Sequence, residues 1–334
     1  MSTLARFGAE LRALASLVSL ASLVPVALAS QALAPRPVTA QSAPSAPRLS
    51  AQRLDDRIIV RVDDRMFTTY RFGPGQKYPY FYPLNGPASG VSVTTESSLP
   101  WPHHRSLFFG SDKVNGGNYW QEGNEEGQIV SRGPSVVDAG PDRVVITDEC
   151  EWRKPGTAPV LVDRREIRIE APSPQLRILR FKVALVPQTE VRIERTNHSL
   201  FAARIAPELS SQAGGVLRNA GGALGEKGTF GESAPWCDVS GTRFGLREGL
   251  AIFDSPRNRW YPSKWFTRDY GFLSPTPFNW LDDAGLRLAP GETLELEYQV
   301  VVHAGDAAEA GIVALFAKWA EGGLGSSGGR RPTP

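Results

Sequence analysis

The chain has 334 residues, 41% of them hydrophobic and 22% charged, which is enough apolar material for one large domain or two small ones. Basic and acidic residues number 37 and 35, for a formal net charge of +2. This near-neutral balance, without clustered runs of Lys and Arg, argues against a nucleic-acid partner.

The first 40 residues are typical of an export signal. Arg6 and Arg12 precede an apolar stretch over residues 13–29 that Pro25 interrupts. That stretch is shorter than the roughly 20 residues that span a bilayer. We therefore expect a signal peptide over 1–40, with a retained N-terminal anchor as the alternative, and a periplasmic or secreted mature chain without an integral membrane segment. Removing residues 1–40 takes away three arginines and one acid, which brings the formal net charge to zero.

Short runs of alternating apolar and polar residues dominate the rest of the chain. Residues 41–56 are rich in Ala, Pro, Ser and Gln and predict a flexible linker, and residues 323–334 predict a disordered tail. Alternation over the intervening domain, 57–322, is typical of half-buried strands. The predicted strands are 57–62, 66–72, 91–95, 143–152, 160–171, 176–186, 191–195, 200–206, 248–254 and 292–305.

Two further segments complete the predicted domain. Residues 211–236 form a long Gly-rich connection, of the kind that is either functional or disordered. Residues 306–322 predict a helix whose apolar stripe is Ile312, Leu315, Phe316 and Trp319. Many antiparallel strands and one terminal helix predict an all-β fold, a large antiparallel β-sandwich with a short C-terminal helix.

Two of the four histidines stand together in "LPWPHHRSLFFGSDKVNGGNYW", residues 99–120. Flanking prolines favour an extended chain, so we expect His103 and Arg105 on one face and His104 on the other. One imidazole would then act as a general acid or base, and Arg105 would bind an anionic or hydroxyl-rich ligand. The alternative is a pair of hydrogen-bonded histidines that brace the sandwich.

The polar residues that follow this histidine pair have two possible interpretations. Asp112, Asn115 and Asn118 are residue types that bind sugar hydroxyls, and they are equally ordinary turn formers. His198 lies between two predicted strands and is a candidate for the same pocket. His303 lies in a long apolar strand and is better explained as a core or rim histidine.

A second candidate cluster is residues 225–241. An extended chain there places Trp236 and Asp238 on one face, where an indole could stack on a sugar ring beside a carboxylate. Glu226 and Lys227 precede them and are either ligand contacts or solvated charges.

A third candidate cluster, residues 253–280, is dense in aromatic residues. It contains Arg268, Asp269 and Tyr270 in succession. Because adjacent residues on a strand seldom pair, Arg268 and Asp269 should have different partners, with a solvated turn as the competing account.

No cofactor signature accompanies these clusters. The sequence lacks the serine-hydrolase, zincin, phosphate-loop and dinucleotide motifs, so we expect no cofactor and assign no metal. Cys150 and Cys237 are the only cysteines, and a disulfide and a pair of buried free thiols are both open.

Six blocks together resemble a bacterial family labelled "methane oxygenase PmoA", over Arg57 to His303. The family's histidine block begins Asp-His-Pro-His-His, whereas Pro100 and Trp101 occupy the first two positions here. A methane monooxygenase subunit is a polytopic copper membrane protein, so methane oxidation is excluded. The resemblance implies an exported β-sandwich of uncharacterised activity, found in bacteria that degrade complex glycans. The blocks are "YPYFYPLNGP", "PHHRSLFFGSDKVNGGNYW", "TNHSLFAARIAPEL", "GEKGTFGESAPWCDVSG", "GLAIFDSPRN" and "YPSKWFTRDYGFLSPTPF".

We therefore expect a galactose-mutarotase-like supersandwich that performs acid/base chemistry on a sugar or modified sugar, as an isomerase, lyase or hydrolase. The alternatives are a noncatalytic carbohydrate-binding or cell-surface module, and metal-dependent redox chemistry if several histidines converge. The expected catalytic residues are His103, His104, Asp238 and Asp269. The expected sugar-binding residues are Arg105, Asp112, Asn115, His198, Lys227, Trp236, Arg268 and Tyr270.

Overall fold

The computed structural model describes residues 47–121 and 123–324, which fall within a unit spanning Ser45–Pro334. The strands are β1 (Leu49–Arg53), β2 (Arg57–Val62), β3 (Arg65–Arg71), β4 (Tyr80–Leu84), β5 (Leu107–Ser111), β6 (Gln128–Ser131), β7 (Ser135–Ala139), β8 (Arg143–Arg153), β9 (Leu161–Ser173), β10 (Leu176–Pro187), β11 (Val191–Ile193), β12 (Ser199–Arg204), β13 (Val216–Asn219), β14 (Trp236–Arg243), β15 (Leu246–Asp254), β16 (Trp265–Arg268), β17 (Phe272–Pro275), β18 (Leu286–Leu288) and β19 (Leu294–Ala304). The α-helices are α1 (Gly225–Thr229) and α2 (Ile312–Leu324), and short 3-10 helices cover Asn124–Glu126, Pro207–Leu209, Ser211–Ala213 and Pro277–Trp280.

Two antiparallel sheets pack face to face. The eight-stranded sheet has the order β1-β2-β3-β4-β5-β12-β17-β16. The nine-stranded sheet has the order β13-β14-β15-β19-β10-β9-β8-β6, with β7 also paired to β8, and β11 pairs with β18 separately. Phe201 of β12 stacks on Phe181 of β10 and on Tyr298 of β19, with ring centroids 5.0 and 4.9 Å apart. These contacts cross the interior, so the predicted antiparallel β-sandwich with a C-terminal helix is confirmed.

The outer face of the eight-stranded sheet is covered by loops. Phe109 on β5 packs on Phe181 of the other sheet, with centroids 5.6 Å apart, so it faces inward. Since side chains alternate along a strand, Phe108 faces outward. There it contacts Tyr78 and Trp120 at centroid distances of 4.9 and 4.7 Å. Tyr78 and Trp120 thus form an aromatic layer on the outer side of β5.

The outer face of the nine-stranded sheet carries the C-terminal helix. The stripe predicted for that helix is confirmed: Phe316 and Trp319 lie against Phe253 of β15, with centroids 5.4 and 5.9 Å apart. The helix begins at residue 312 rather than 306, because Asp306 accepts hydrogen bonds from the backbone of residues 308 and 309 and forms a turn. No helix in the described part of the chain is long and apolar enough to cross a membrane.

Three sequence predictions differ from the structure. Part of the segment expected to be a flexible linker, residues 41–56, is β1, which extends the sheet beside β2. Residues 91–95 are not a strand, because Val93 bonds to β4 and Thr95 to β12, one residue at a time. The connection over 211–236 contains β13 and α1. The predicted signal peptide over 1–40 and residues 325–334 of the predicted tail lie outside the described residues.

Candidate functional site

His103 and His104 lie in a turn that precedes β5, and their rings are in contact. The ring centroids are 4.5 Å apart at an interplanar angle of 78°. The expectation that the two side chains point to opposite faces is wrong, because residues 102–103 form a turn instead of an extended segment. Tyr78 fixes this turn by donating its hydroxyl to the His103 carbonyl oxygen at 2.5 Å.

His198 joins the same cluster from the start of β12. Its ring centroid is 5.8 Å from that of His103. The Nδ1 atom lies 3.0 Å from Oδ2 of Asp112, whose other oxygen accepts the hydroxyl of Thr196. A carboxylate on Nδ1 favours the tautomer that carries a hydrogen there and leaves a lone pair on Nε2. His198 is also only half-buried, so the pair resembles an oriented acid/base group.

Aromatic rings surround the three imidazoles. His104 packs on Phe272 of β17, with centroids 4.3 Å apart, and lies 6.4 Å from the half-buried Tyr270 at 21°. Trp120 lies 6.0 Å from His198. Trp101 is 43% exposed, and its ring is 6.1 Å from His103 and 6.3 Å from His104. The first and third sequence clusters therefore meet on the outer face of the eight-stranded sheet.

An arginine that the sequence analysis missed also belongs to this site. Arg204 ends β12, and its guanidinium carbon lies 4.3 Å from the Tyr270 ring centroid. Burial, together with the charges of His103, Arg204 and His198, lowers the pKa of His104 to about 2. His104 is thus a neutral imidazole at physiological pH.

Two predicted ligand contacts in the first cluster have other partners. Asn115, in a turn at positive φ, donates to the carbonyl of Glu190 and accepts from the backbone of Arg192, which fits a turn-forming role. Arg105 donates to Gln76 at 3.1 Å and lies over the ring of Tyr80.

Asp269 and Arg268 hold the short helix α1 against β16. Oδ1 of Asp269 accepts the backbone hydrogen of Glu226 at 2.8 Å, and Arg268 donates to the Glu226 carboxylate at 3.1 Å. The expectation of different partners is wrong, because both neighbours bond to Glu226, Arg268 to its carboxylate and the Asp269 carboxylate to its backbone N–H. Lys227 is exposed on α1. Tyr270, next along the chain, is the residue that connects this region to His104.

Trp236 and Asp238 do not join the imidazoles. Cys237 and Val239, which alternate with them along β14, point into the core, so Trp236 and Asp238 face outward from the nine-stranded sheet, on the opposite side of the sandwich. Trp236 is 6% exposed and packs in the cluster beneath α2, which removes it as a sugar platform. The cluster of imidazoles and aromatic rings is therefore built from the first and third sequence clusters, without the second.

Asp238 is instead paired with the core histidine of the long strand. Its Oδ2 lies 2.7 Å from Nε2 of His303, and both side chains are fully buried. Burial opposes protonation of His303, but the hydrogen bond and the charge of Asp238 outweigh it and raise the His303 pKa. This arrangement makes Asp238 a structural partner of His303 rather than a base facing His103 and His104.

Neither a metal cluster nor a disulfide is found among the described residues. No group of three or more His, Cys, Asp or Glu side chains within 47–121 and 123–324 is arranged to hold a metal ion. Cys150 and Cys237 are free and buried. A concavity of about 750 Å³ lies against α2 and the charged face of β9, β10 and β19, and no predicted site residue lines it.

Acid should destabilise the protein through His104. The unfolded histidine has a pKa of about 6.5, so between pH 6.5 and 2 the unfolded state binds the proton that the folded state excludes. Lowering the pH from 7.5 to 5.0 is expected to remove about 2 kcal/mol of stability through this residue alone. Urea unfolding at both pH values should show a smaller loss in His104→Gln than in the natural protein; equal losses would contradict the assignment.

Comparison with known proteins identifies a family. No curated protein sequence matches the chain significantly. Among solved structures, galactose 1-epimerase from Lactobacillus acidophilus is 11% identical, with a TM-score of 0.38 and coverage of 78% of this chain and 100% of that one. A proposed aldose 1-epimerase from Escherichia coli K12 is 11% identical, with a TM-score of 0.31 and coverage of 78% and 99%. A polysaccharide lyase is 14% identical, with a TM-score of 0.27 and coverage of 79% and 33%.

These TM-scores are too low to support an argument about fold or activity. The sequence profile of one family, by contrast, matches residues 57–317, which is nearly the whole described part of the chain. The protein is therefore a member of the family of unknown function DUF6807.

Proposed function

We propose that the protein is an exported carbohydrate-active enzyme that carries out acid/base chemistry on a sugar or modified sugar. The observation that carries the proposal is the meeting of His103, His104 and His198 on the outer face of the eight-stranded sheet, with His198 oriented by Asp112. Scarce imidazoles from two distant segments are gathered there beside an exposed indole.

His198 is the principal acid/base group in this proposal. With Nδ1 held by Asp112, its Nε2 can withdraw a proton from a sugar C–H or O–H group, or return one. His103 and the neutral His104 lie next to it and supply further hydrogen-bonding nitrogens. Isomerisation, elimination and hydrolysis all require such proton transfers, so each remains within the proposal.

The aromatic surroundings favour a sugar as the ligand. A pyranose ring presents an apolar face that stacks on an aromatic ring and a hydroxyl edge that hydrogen bonds to polar groups. Trp101 replaces Trp236 as the platform, because Trp101 is exposed and adjacent to His103 and His104.

Export forms part of the same proposal. It is supported by Arg6 and Arg12 ahead of the apolar residues 13–29, which are typical of a signal peptide. The resemblance to the PmoA-labelled family is consistent with it, since that resemblance implies a secreted or periplasmic β-sandwich.

The test is a screen of the purified protein on neutral oligosaccharides, uronic-acid oligosaccharides and oxidised sugars, with products detected by NMR. We expect turnover of at least one of these substrate classes. His198→Gln should lose this turnover, whereas the control Phe244→Ala, at an exposed aromatic residue in the β14–β15 turn, should keep it. Turnover that His198→Gln leaves intact would refute the proposed role of the imidazole cluster.

A noncatalytic carbohydrate-binding module is the second candidate, and the exposed Trp101 favours it. Both candidates predict that Trp101→Ala weakens glycan binding about 3- to 10-fold through lost stacking. Calorimetry should show this loss of glycan affinity, and the control Phe244→Ala should bind as tightly as the natural protein. Binding without any turnover would select the module, and undiminished binding in Trp101→Ala would exclude Trp101 as the platform in either case.

A further inference from the structure

Arg204 is a buried cation without a counter-ion among the described residues. Its side chain lies at the end of β12 on the outer face of the sheet, and the residue is 3% exposed. The backbone is fixed by the hydrogen bond from Arg204 to the Ser106 carbonyl, at 2.7 Å, and by pairing with Phe272. The guanidinium stacks on Tyr270, whose ring contacts His104, so it lies at the edge of the imidazole cluster.

Part of the hydrogen-bonding capacity of Arg204 is unused. Nη1 donates to the carbonyl of Tyr270 at 2.6 Å. The Nε atom is buried and has no acceptor, and no carboxylate of the described chain lies within salt-bridge distance. A guanidinium offers five donor hydrogens, and a buried charge normally has a partner that offsets its desolvation.

The other buried arginines of this fold show the usual arrangement. Arg165 is paired with Asp163, and Arg243 with Glu248, each at 2.7 Å. Arg204 differs from both because its neighbours are imidazoles and aromatic rings. Its burial lowers its own pKa, which an incoming anion would reverse.

Two more buried polar atoms in the same region lack partners. They are Nδ1 of His104 and Nε1 of Trp120, for which the described residues provide no hydrogen bond. Both rings contact Phe272, which pairs with Arg204 across the sheet. Unsatisfied buried polar atoms are rare in native proteins, and three in one place indicate a binding site for a polar ligand.

We propose that Arg204 binds an oxyanion carried by the sugar, either the carboxylate of a uronic acid or a sulfate ester. The inference rests on the proposed function and narrows its substrate class to acidic sugars. The planar guanidinium fork matches both groups by paired hydrogen bonds. Tyr270 lies over the guanidinium, so the oxyanion approaches past the edge of that ring.

An acidic sugar also fits the neighbouring chemistry. Neutralising a carboxylate by an arginine favours removal of the proton on the adjacent carbon, because it stabilises the charge that develops. For a uronic acid, the C–H bond next to the carboxylate breaks, an N–H bond forms on an imidazole nitrogen, and the electron pair moves into the carboxylate as an enolate paired with Arg204. A sulfate ester would be bound by Arg204 without this stabilisation. Arg204 is here a specificity-determining residue that contacts the ligand.

Calorimetry on the full chain with three matched probes tests the inference. The probes are D-galacturonate, D-galactose 6-sulfate and D-galactose. We expect the natural protein to bind one or both acidic probes about 10- to 100-fold more tightly than galactose. Arg204→Met should remove this preference, Arg204→Lys should keep part of it, and the exposed control Arg164→Met should keep all of it.

Equal binding of the three probes by the natural protein, or an acidic preference that survives in Arg204→Met, would overturn the inference. Neither outcome affects the proposed function as long as Trp101→Ala weakens binding. Failure of all three probes and of the wider glycan panel would instead refute the proposed function. If Arg204→Met does not fold, Arg204→Lys and the thermal stabilisation of the natural protein by each probe give the same comparison.

Discussion

Replacing His198 with Gln is expected to reduce turnover of the sugar substrate by about 10²- to 10⁴-fold, the usual contribution of a positioned acid/base group. Gln keeps a hydrogen-bonding side chain of similar size near Asp112, but it cannot exchange a proton near neutral pH. The loss should therefore appear in kcat, with little change in KM or in the temperature of unfolding. Steady-state kinetics and thermal unfolding on the same preparations measure these quantities.

The Asp112→Asn variant tests the orientation of the His198 ring separately from its proton transfer. An amide at this position can offer a hydrogen to Nδ1 and so favour the opposite tautomer of His198. We expect a smaller but clear loss of kcat and an altered pH profile. A His198→Gln variant with natural turnover, or an Asp112→Asn variant with an unchanged pH profile, would contradict the assignment of this pair.

Replacing Arg165 with Met is expected to cost about 3–5 kcal/mol of stability, because it leaves a buried carboxylate without its cation. Arg165 and Asp163 are joined by two hydrogen bonds of 2.7 and 2.8 Å between the two sheets. Their side chains are 1% and 0% exposed. Urea unfolding of Arg165→Met against the natural protein measures the loss.

The neighbouring arginine provides a matched control. Arg164 lies on the other face of the same strand and pairs with Glu149 at the surface. Arg164→Met should change stability by less than about 1 kcal/mol. The double variant Arg165→Met with Asp163→Leu should be more stable than Arg165→Met alone, since it removes the unpaired charge. Equal losses of unfolding free energy at positions 164 and 165 would show that the buried ion pair stabilises the fold no more than the exposed one.

The strands with one solvent-exposed and one buried face could be predicted from the sequence. On β9, Arg164 and Glu166 are exposed while Arg165 and Ile167 are buried, as the alternation indicates. β5 gave no such signal because all five of its residues are buried, with loops covering its outer side. β17 is hidden for the same reason. Alternation fails where both faces of a sheet are covered.

The site was predictable only in part. His103 and His104 were identified by their scarcity and their aromatic context, and His198 by its position between strands. Arg204 was missed because it ends the apolar run of β12, whose pattern is typical of an ordinary buried strand. For Trp236 and Asp238 the shared face was predicted correctly, but the sequence could not tell that α2 covers it. Which layer covers a strand face depends on tertiary packing rather than on local pattern.

The location of a bound sugar tests the central claim most directly. A crystal structure of the protein with a glycan that it binds should place one sugar ring against Trp101, with a hydroxyl or ring atom within hydrogen-bond distance of Nε2 of His198. A sugar held instead in the charged concavity beside α2, with the three imidazoles untouched, would contradict the claim.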